Sequence, residues 1–139
     1  MPPDFRVLAI DDEPEMLILL ETMLTRRGFE VVVAPDPHSG LRAAYRTHPD
    51  AILLDVMMPG MDGFDVCRRL RLVTDAPLLF VTALDDLSRL KQGFALGAAD
   101  YIVKPFRPSE LVSRLMASIR HAQEADGREP RALFVGDSV

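Results

Sequence analysis

Five times along this chain a short run of aliphatic or β-branched residues gives way to a longer stretch whose apolar residues recur at three- and four-residue spacing. No other feature limits the possible folds as much. Such alternation builds βαβ units, and βαβ units build a parallel sheet covered by helices, so the class is α/β. The spans read as strands are Arg6–Asp11, Glu30–Val33, Ala51–Asp55, Leu78–Thr82 and Tyr101–Val103. The middle three are almost wholly apolar, as strands covered on both faces should be.

The intervening segments read as helices with definable inner faces. In the first, Met16, Leu19, Leu20, Met23 and Leu24 recur at helical spacing, and Gly28 follows as a stop. The second should run from Pro37 to His48. The third should run from Gly63 to Val73, with Phe64, Val66, Cys67 and Leu70 inward, and the Thr74-Asp-Ala-Pro segment should break it. The fourth, Asp86–Leu96, stops at Gly97. The fifth opens with Pro108 in its first turn and presents Leu111, Leu115, Met116 and Ile119 on one side.

Composition narrows the function. A chain of 139 residues with 48% hydrophobic and 27% charged residues fits one globular core. Its net charge of −5 lacks the basic field that attracts nucleic-acid phosphates. Any DNA binding is expected in a domain outside this sequence. The single Cys67 has no internal disulfide partner and falls in an apolar periodic stretch, which reads as a buried reduced thiol. There is no signal-peptide pattern and no run of about 18 apolar residues, so the expectation is a cytoplasmic protein without a membrane partner. His38, His48 and His121 lack metal-ligand spacing and read as surface residues. The polar stretch Ala122–Pro130 reads as a linker. Arg131–Val139 carries an alternating apolar pattern too short to bury a core, and reads as a terminus or as the first strand of an effector domain.

The chemistry gathers where strands end. Asp11 and Asp12 close the first strand, Asp55 the third and Thr82 the fourth, while Lys104 follows the fifth. In a parallel sheet with right-handed crossovers these carboxyl ends share one edge, and a ligand crevice opens where the strand order reverses. Three carboxylates in one crevice repel, and a hard divalent cation such as Mg²⁺, which prefers oxygen ligands and keeps several waters, relieves the repulsion. Asp55 could then attack a phosphorus centre, with Mg²⁺ and Lys104 offsetting charge and the Thr82 hydroxyl donating to a phosphoryl oxygen. Singly, each residue has a plainer reading: Asp12 as a helix cap, Thr82 as a structural strand end, Lys104-Pro105 as a surface turn, Tyr101 as packing and the Met57, Met58 and Met61 side chains as loop packing.

Four separated motifs carry a resemblance. Ile10-Asp-Asp-Glu-Pro, Leu54-Asp-Val-Met-Met-Pro-Gly-Met-Asp-Gly, Val81-Thr-Ala and Gly97-Ala-Ala-Asp-Tyr-Ile-Val-Lys-Pro-Phe resemble the motif set of bacterial response-regulator receivers over residues 5–121. The resemblance implies a flavodoxin-like (βα)5 doubly wound sheet of order 2-1-3-4-5, which spacing alone does not dictate. It also implies a phosphoryl group delivered to Asp55 by a sensor histidine kinase, and Mg²⁺ held by Asp11, Asp12, Asp55 and the backbone carbonyl of Met57. Further implications are a cis Lys104-Pro105 peptide and movement of Thr82 and Tyr101 on phosphorylation. On this reading residues 1–121 form the receiver and 122–139 the linker and the start of an effector domain. The protein would be no enzyme, but a phosphoacceptor assisting its own phosphorylation and dephosphorylation.

Three classes compete. A phosphatase or nucleotide enzyme would need its own loop or nucleophile, and no Gly-rich nucleotide-binding loop is present. An inert receiver scaffold should have lost an acidic residue, Thr82 or Lys104, and all are retained. A phosphorylation switch remains. Gly60-Met-Asp-Gly-Phe-Asp-Val-Cys-Arg-Arg-Leu-Arg and Lys104-Pro-Phe, with Glu110, Leu111 and Arg114 following, resemble the winged-helix OmpR/PhoB-type transcription regulators. Those dimerise through the fourth helix, fifth strand and fifth helix. Ala99 and Leu90 replace charges common on that face, whereas Asp100, Glu110 and Arg114 remain. The alternative to a DNA-binding regulator is a stand-alone receiver acting through protein contacts.

Overall fold

The computed structural model describes residues 5–58, 60–83 and 87–125. Its elements in chain order are β1 (Arg6–Ile10), α1 (Pro14–Arg26), β2 (Glu30–Ala34), α2 (Pro37–Thr47), β3 (Ala51–Leu54), β4 (Met57–Met58), β5 (Met61–Asp62), α3 (Gly63–Arg71), β6 (Leu78–Thr82), α4 (Leu87–Ala95), β7 (Asp100–Val103) and α5 (Pro108–Ala125). The main sheet is parallel with order β2-β1-β3-β6-β7. Counted as five strands, that is the 2-1-3-4-5 order. β4 and β5 form a separate two-residue antiparallel ribbon that periodicity could not signal.

Every strand of the main sheet lies within one residue of its expected span. The differences are physical. β1 and β3 each stop one residue before their aspartate, because Asp11 Oδ1 accepts the Glu13 N–H at 2.9 Å and Asp55 Oδ1 accepts the Met57 N–H at 2.9 Å. An aspartate bonded two residues ahead turns the chain out of the strand. The ladder still reaches them, since Asp55 N–H donates to Ile10 at 3.0 Å and Asp11 N–H to Ala34 at 3.2 Å.

Alternate residues of the central strands face opposite layers. Val7, Ala9, Leu53, Leu79 and Val81 pack with α1 and α5; Leu8, Ile10, Ile52, Leu54 and Phe80 pack on the α2 and α3 side. β3 and β6 are buried at every position, whereas β2 is an edge strand and Val33 is exposed. On α1 the buried set is Leu17, Leu20, Met23 and Leu24. Leu19 is exposed instead, and Met16 only half-buried, because neighbouring Leu17, Ile18, Leu19 and Leu20 offered more than one apolar stripe. The inward residues of α3 and α5 are as read, with Met116 half-buried.

Helix boundaries follow local chemistry. Asp36 caps α2 and Asp62 caps α3 through their carboxylates. Gly28 and Gly97 adopt the left-handed backbone, φ 92° and 96°, that ends α1 and α4. α2 stops one residue early because His48 itself is left-handed at φ 50°. α5 continues to Ala125, so the first part of the stretch read as a linker is helical. Residues 126–139, including the expected effector-domain start, lie outside the described residues, and Met61 and Leu90 are described in backbone only. His38, His48 and His121 are exposed, and Cys67 is fully buried with its thiol pushed up by burial.

Candidate functional site

The sheet brings Asp11, Asp12, Asp55 and Lys104 together at one edge, with Thr82 buried at the end of β6. Asp11, Asp12 and Asp55 each offer a carboxylate oxygen, and these oxygens lie within 4.8 Å of one another. β1 and β3 are adjacent, and the chain leaves them toward opposite layers, so both strand ends open into one crevice. Asp11 and Asp55 are buried, at 2% and 4% exposure, while Asp12 is half-buried. Asp12 does not cap α1, whose N-cap is Glu13 without a side-chain bond.

Lys104 reaches in from the end of β7. Its Nζ lies 3.3 Å from Asp11 Oδ2, 3.5 Å from Asp55 Oδ2 and 3.3 Å from Glu13 Oε1. Its backbone N–H donates to the Thr82 carbonyl at 2.8 Å, which ties it to the buried end of β6. The Lys104-Pro105 peptide is cis. Burial opposes the ammonium charge, but Asp55, Asp11 and Glu13 outweigh it and raise the Lys104 pKa.

Burial pushes the Asp55 carboxyl up to about 6; Asp11 and Asp12 add to the rise, against the Met57 N–H and Lys104. Near neutral pH Asp55 is therefore mostly ionised and poorly stabilised. A carboxylate in that state is a reactive oxygen nucleophile and a strong ligand for a hard cation. The donor set is all carboxylate oxygen with one half-exposed member, which fits Mg²⁺ rather than a metal that prefers nitrogen or sulfur.

The loop after Asp55 is held by more than its own sequence motif suggested. Gly63 N–H donates to the Val56 carbonyl at 3.3 Å, and a Cβ on Gly63 would lie 2.6 Å from Val56 Cα. Only glycine lets the start of α3 approach the backbone beside Asp55 this closely. Met57, 57% exposed, lies on β4 and is tied to the crevice by its N–H bond to Asp55. Sequence reasoning missed Glu13 and the close approach at Gly63.

Tyr101 lies outside the crevice. Its ring is edge-on to Phe94, with centroids 6.1 Å apart, and the Arg114 guanidinium sits 5.9 Å from its centroid. Arg114 Nη1 donates to both Asp100 oxygens at 2.9 Å, and its Nε is 3.4 Å from Glu110. Asp100, Glu110 and Arg114, the charges expected to remain on this face, are thus paired within one chain.

Residues 7–116 match the family described as the response regulator receiver domain. The chain is 43% identical over 120 residues to the probable transcriptional regulator ycf27 of Porphyridium aerugineum, covering 86% of this chain and 50% of that protein. It is 40% identical over 133 residues to the DNA-binding response regulator MtrA of Mycolicibacterium smegmatis, covering 95% and 57%. The chain spans about half the length of these relatives. Among solved structures, the BeF3-activated N-terminal receiver domain of Klebsiella pneumoniae RstA is 34% identical, with a TM-score of 0.78 over 83% of this chain and 98% of that one. Vibrio cholerae chemotaxis protein CheY4 is 32% identical, also at 0.78, over 82% and 98%.

Proposed function

The chain belongs to the response regulator receiver domain family, and from that membership we propose that it is a phosphorylation switch in which Asp55 is the phosphoacceptor. The observation that carries this reading is the crevice itself: three aspartates with oxygens within 4.8 Å and Lys104 3.5 Å from Asp55. An Asp55 oxygen attacks the phosphorus of a phosphohistidine on a sensor kinase. The P–O bond forms as the P–N bond breaks, and the electron pair leaves with the imidazole nitrogen, which takes up a proton. Bound by Asp11, Asp12, Asp55 and the Met57 carbonyl, Mg²⁺ would supply the positive charge that offsets carboxylate repulsion and polarises the phosphoryl group. Lys104 donates to a phosphoryl oxygen, and the Thr82 hydroxyl to another.

The output runs from Thr82 to the face made by α4, β7 and α5. A phosphoryl group shifts a two-state equilibrium only through contacts that differ between the states, and Thr82 and Lys104 are the groups able to make them. Thr82 moves toward the phosphoryl oxygens and Tyr101 moves inward. With Tyr101 turned inward, the exposed Phe94 offers apolar surface to a second copy of the chain. Since Arg114 is already paired with Asp100 and Glu110, that association responds weakly to salt. Control of DNA belongs to a domain outside this chain, as the names of the relatives suggest.

Sedimentation with and without beryllofluoride tests the switch. Beryllofluoride should promote self-association of the wild type at both low and high salt, while Thr82→Ala should still bind it and remain monomeric. A wild type that stays monomeric in every condition removes the dimer, and a Thr82→Ala protein that associates normally removes the coupling.

A further inference from the structure

Of the motif Ile10-Asp-Asp-Glu, the phosphoacceptor reading uses both aspartates and leaves Glu13 without a task. Its surroundings give it one. An ammonium has three donors, and Lys104 Nζ has three carboxylates around it: Asp11 and Glu13 at 3.3 Å and Asp55 at 3.5 Å. Two of these are fixed, for the side chains of Asp11 and Asp55 are 2% and 5% exposed; that of Glu13 is 63% exposed.

The backbone of Glu13 is pinned while its side chain is not. Its N–H donates to Asp11 Oδ1 at 2.9 Å and its carbonyl accepts from Leu17 at 3.1 Å. The position is the N-cap of α1, yet the carboxylate makes no capping bond. A residue at a helix start that could cap the helix instead reaches across to the lysine of β7.

We propose that Glu13 is a positioning residue for Lys104, a replaceable acceptor that occupies the lysine until a phosphoryl oxygen takes its place. The inference rests on Asp55 being the phosphoacceptor. When a phosphoryl group arrives, Lys104 must release one partner. A contact with a solvent-exposed carboxylate is worth little, whereas Asp11 is buried and its contact with the lysine is the costlier one to give up. Glu13 is the partner that leaves. It holds the lysine aimed at the crevice beforehand and weakens phosphoryl binding by the energy of the contact that is given up.

The test is a beryllofluoride titration with saturating Mg²⁺, followed by ¹⁹F NMR, on the wild type, Glu13→Gln and Glu15→Gln. Glu15 is another acidic residue in the first turn of α1 and controls for charge near the helix start. Glu13→Gln should bind about twofold to fivefold more tightly than the wild type, and Glu15→Gln should match the wild type. In a Lys104→Met background the gain from Glu13→Gln should vanish, which a role confined to α1 stability would not produce. A Glu13→Gln protein that binds no more tightly than the wild type, or a gain that persists without Lys104, overturns the assignment. If the wild type takes up no beryllofluoride, the phosphoacceptor reading falls with it; if it does and Glu13→Gln is unchanged, the Glu13 assignment falls alone.

Discussion

Two charged clusters occupy opposite ends of the same strands. At the start of β1, the Arg6 guanidinium meets Glu30 at 2.9 and 3.1 Å, the register partner on β2, and also donates to the Thr47 carbonyl. Asp50, just before β3, accepts the Arg6 N–H at 2.8 Å and returns its own N–H to the Arg6 carbonyl at 2.7 Å. Each group there has a partner and stands half in solvent. At the other end Asp11, Glu13 and Asp55 share the Lys104 ammonium with Asp12 close beside them, and two of these four acids are buried. The first cluster joins three chain segments at little electrostatic cost. The second is left with excess negative charge, which is what a site must have if a cation and a phosphoryl group are to complete it.

The largest effect that would sharpen this contrast comes from the backbone that holds the second cluster. Gly63→Ala must move the Val56 backbone, and should destabilise the fold by about 2–3 kcal/mol. Denaturant melts measure this, and a loss below about 0.5 kcal/mol would mean that the loop beside Asp55 yields freely.

Metal affinity comes next in size. Asp11→Ala and Asp12→Ala should each weaken Mg²⁺ binding by about tenfold or more, since each removes a carboxylate from a site held together by such charges. Unchanged affinity in both, by calorimetric titration, would contradict the crevice as a cation site.

Stability should then respond with opposite signs at the two ends. Arg6→Ala should cost about 1–2 kcal/mol through lost hydrogen bonds to Glu30 and Thr47. Asp55→Asn should stabilise the metal-free protein near pH 7 by about 1–2 kcal/mol. The Asp55 carboxyl is raised to about 6 in the fold, above its ordinary 3.8. It binds its proton more tightly when folded, so its contribution to stability is present below about pH 4 and is lost as pH rises through about 6. In EDTA the Asp55→Asn advantage should therefore widen between about pH 4 and 6.5, and Mg²⁺ should narrow it. A gap that is flat with pH would show that Asp55 is not strained.

The site was more legible than its surroundings because its residues are set by strand ends. Any reading that finds β1, β3, β6 and β7 also places Asp11, Asp55, Thr82 and Lys104 on one edge. The Arg6 cluster and the Glu13–Lys104 contact join residues far apart in sequence, the latter 91 positions apart, and no local spacing signals such pairs. The inner face of α1 was misjudged at Leu19 because the consecutive apolar residues from Met16 to Leu20 define no single stripe. The β4–β5 ribbon is too short for any period. Gly63 read as the start of the third helix, whereas the requirement for glycine there comes from Val56, which only the folded chain brings against it.

Phosphotransfer at the second cluster is tested most directly by intact-protein mass after incubation with acetyl phosphate. With Mg²⁺ the wild type should gain one base-labile phosphoryl group, which should be lost in Asp55→Ala and absent when EDTA replaces the metal. A phosphoryl group acquired by Asp55→Ala at the wild-type rate would contradict the account.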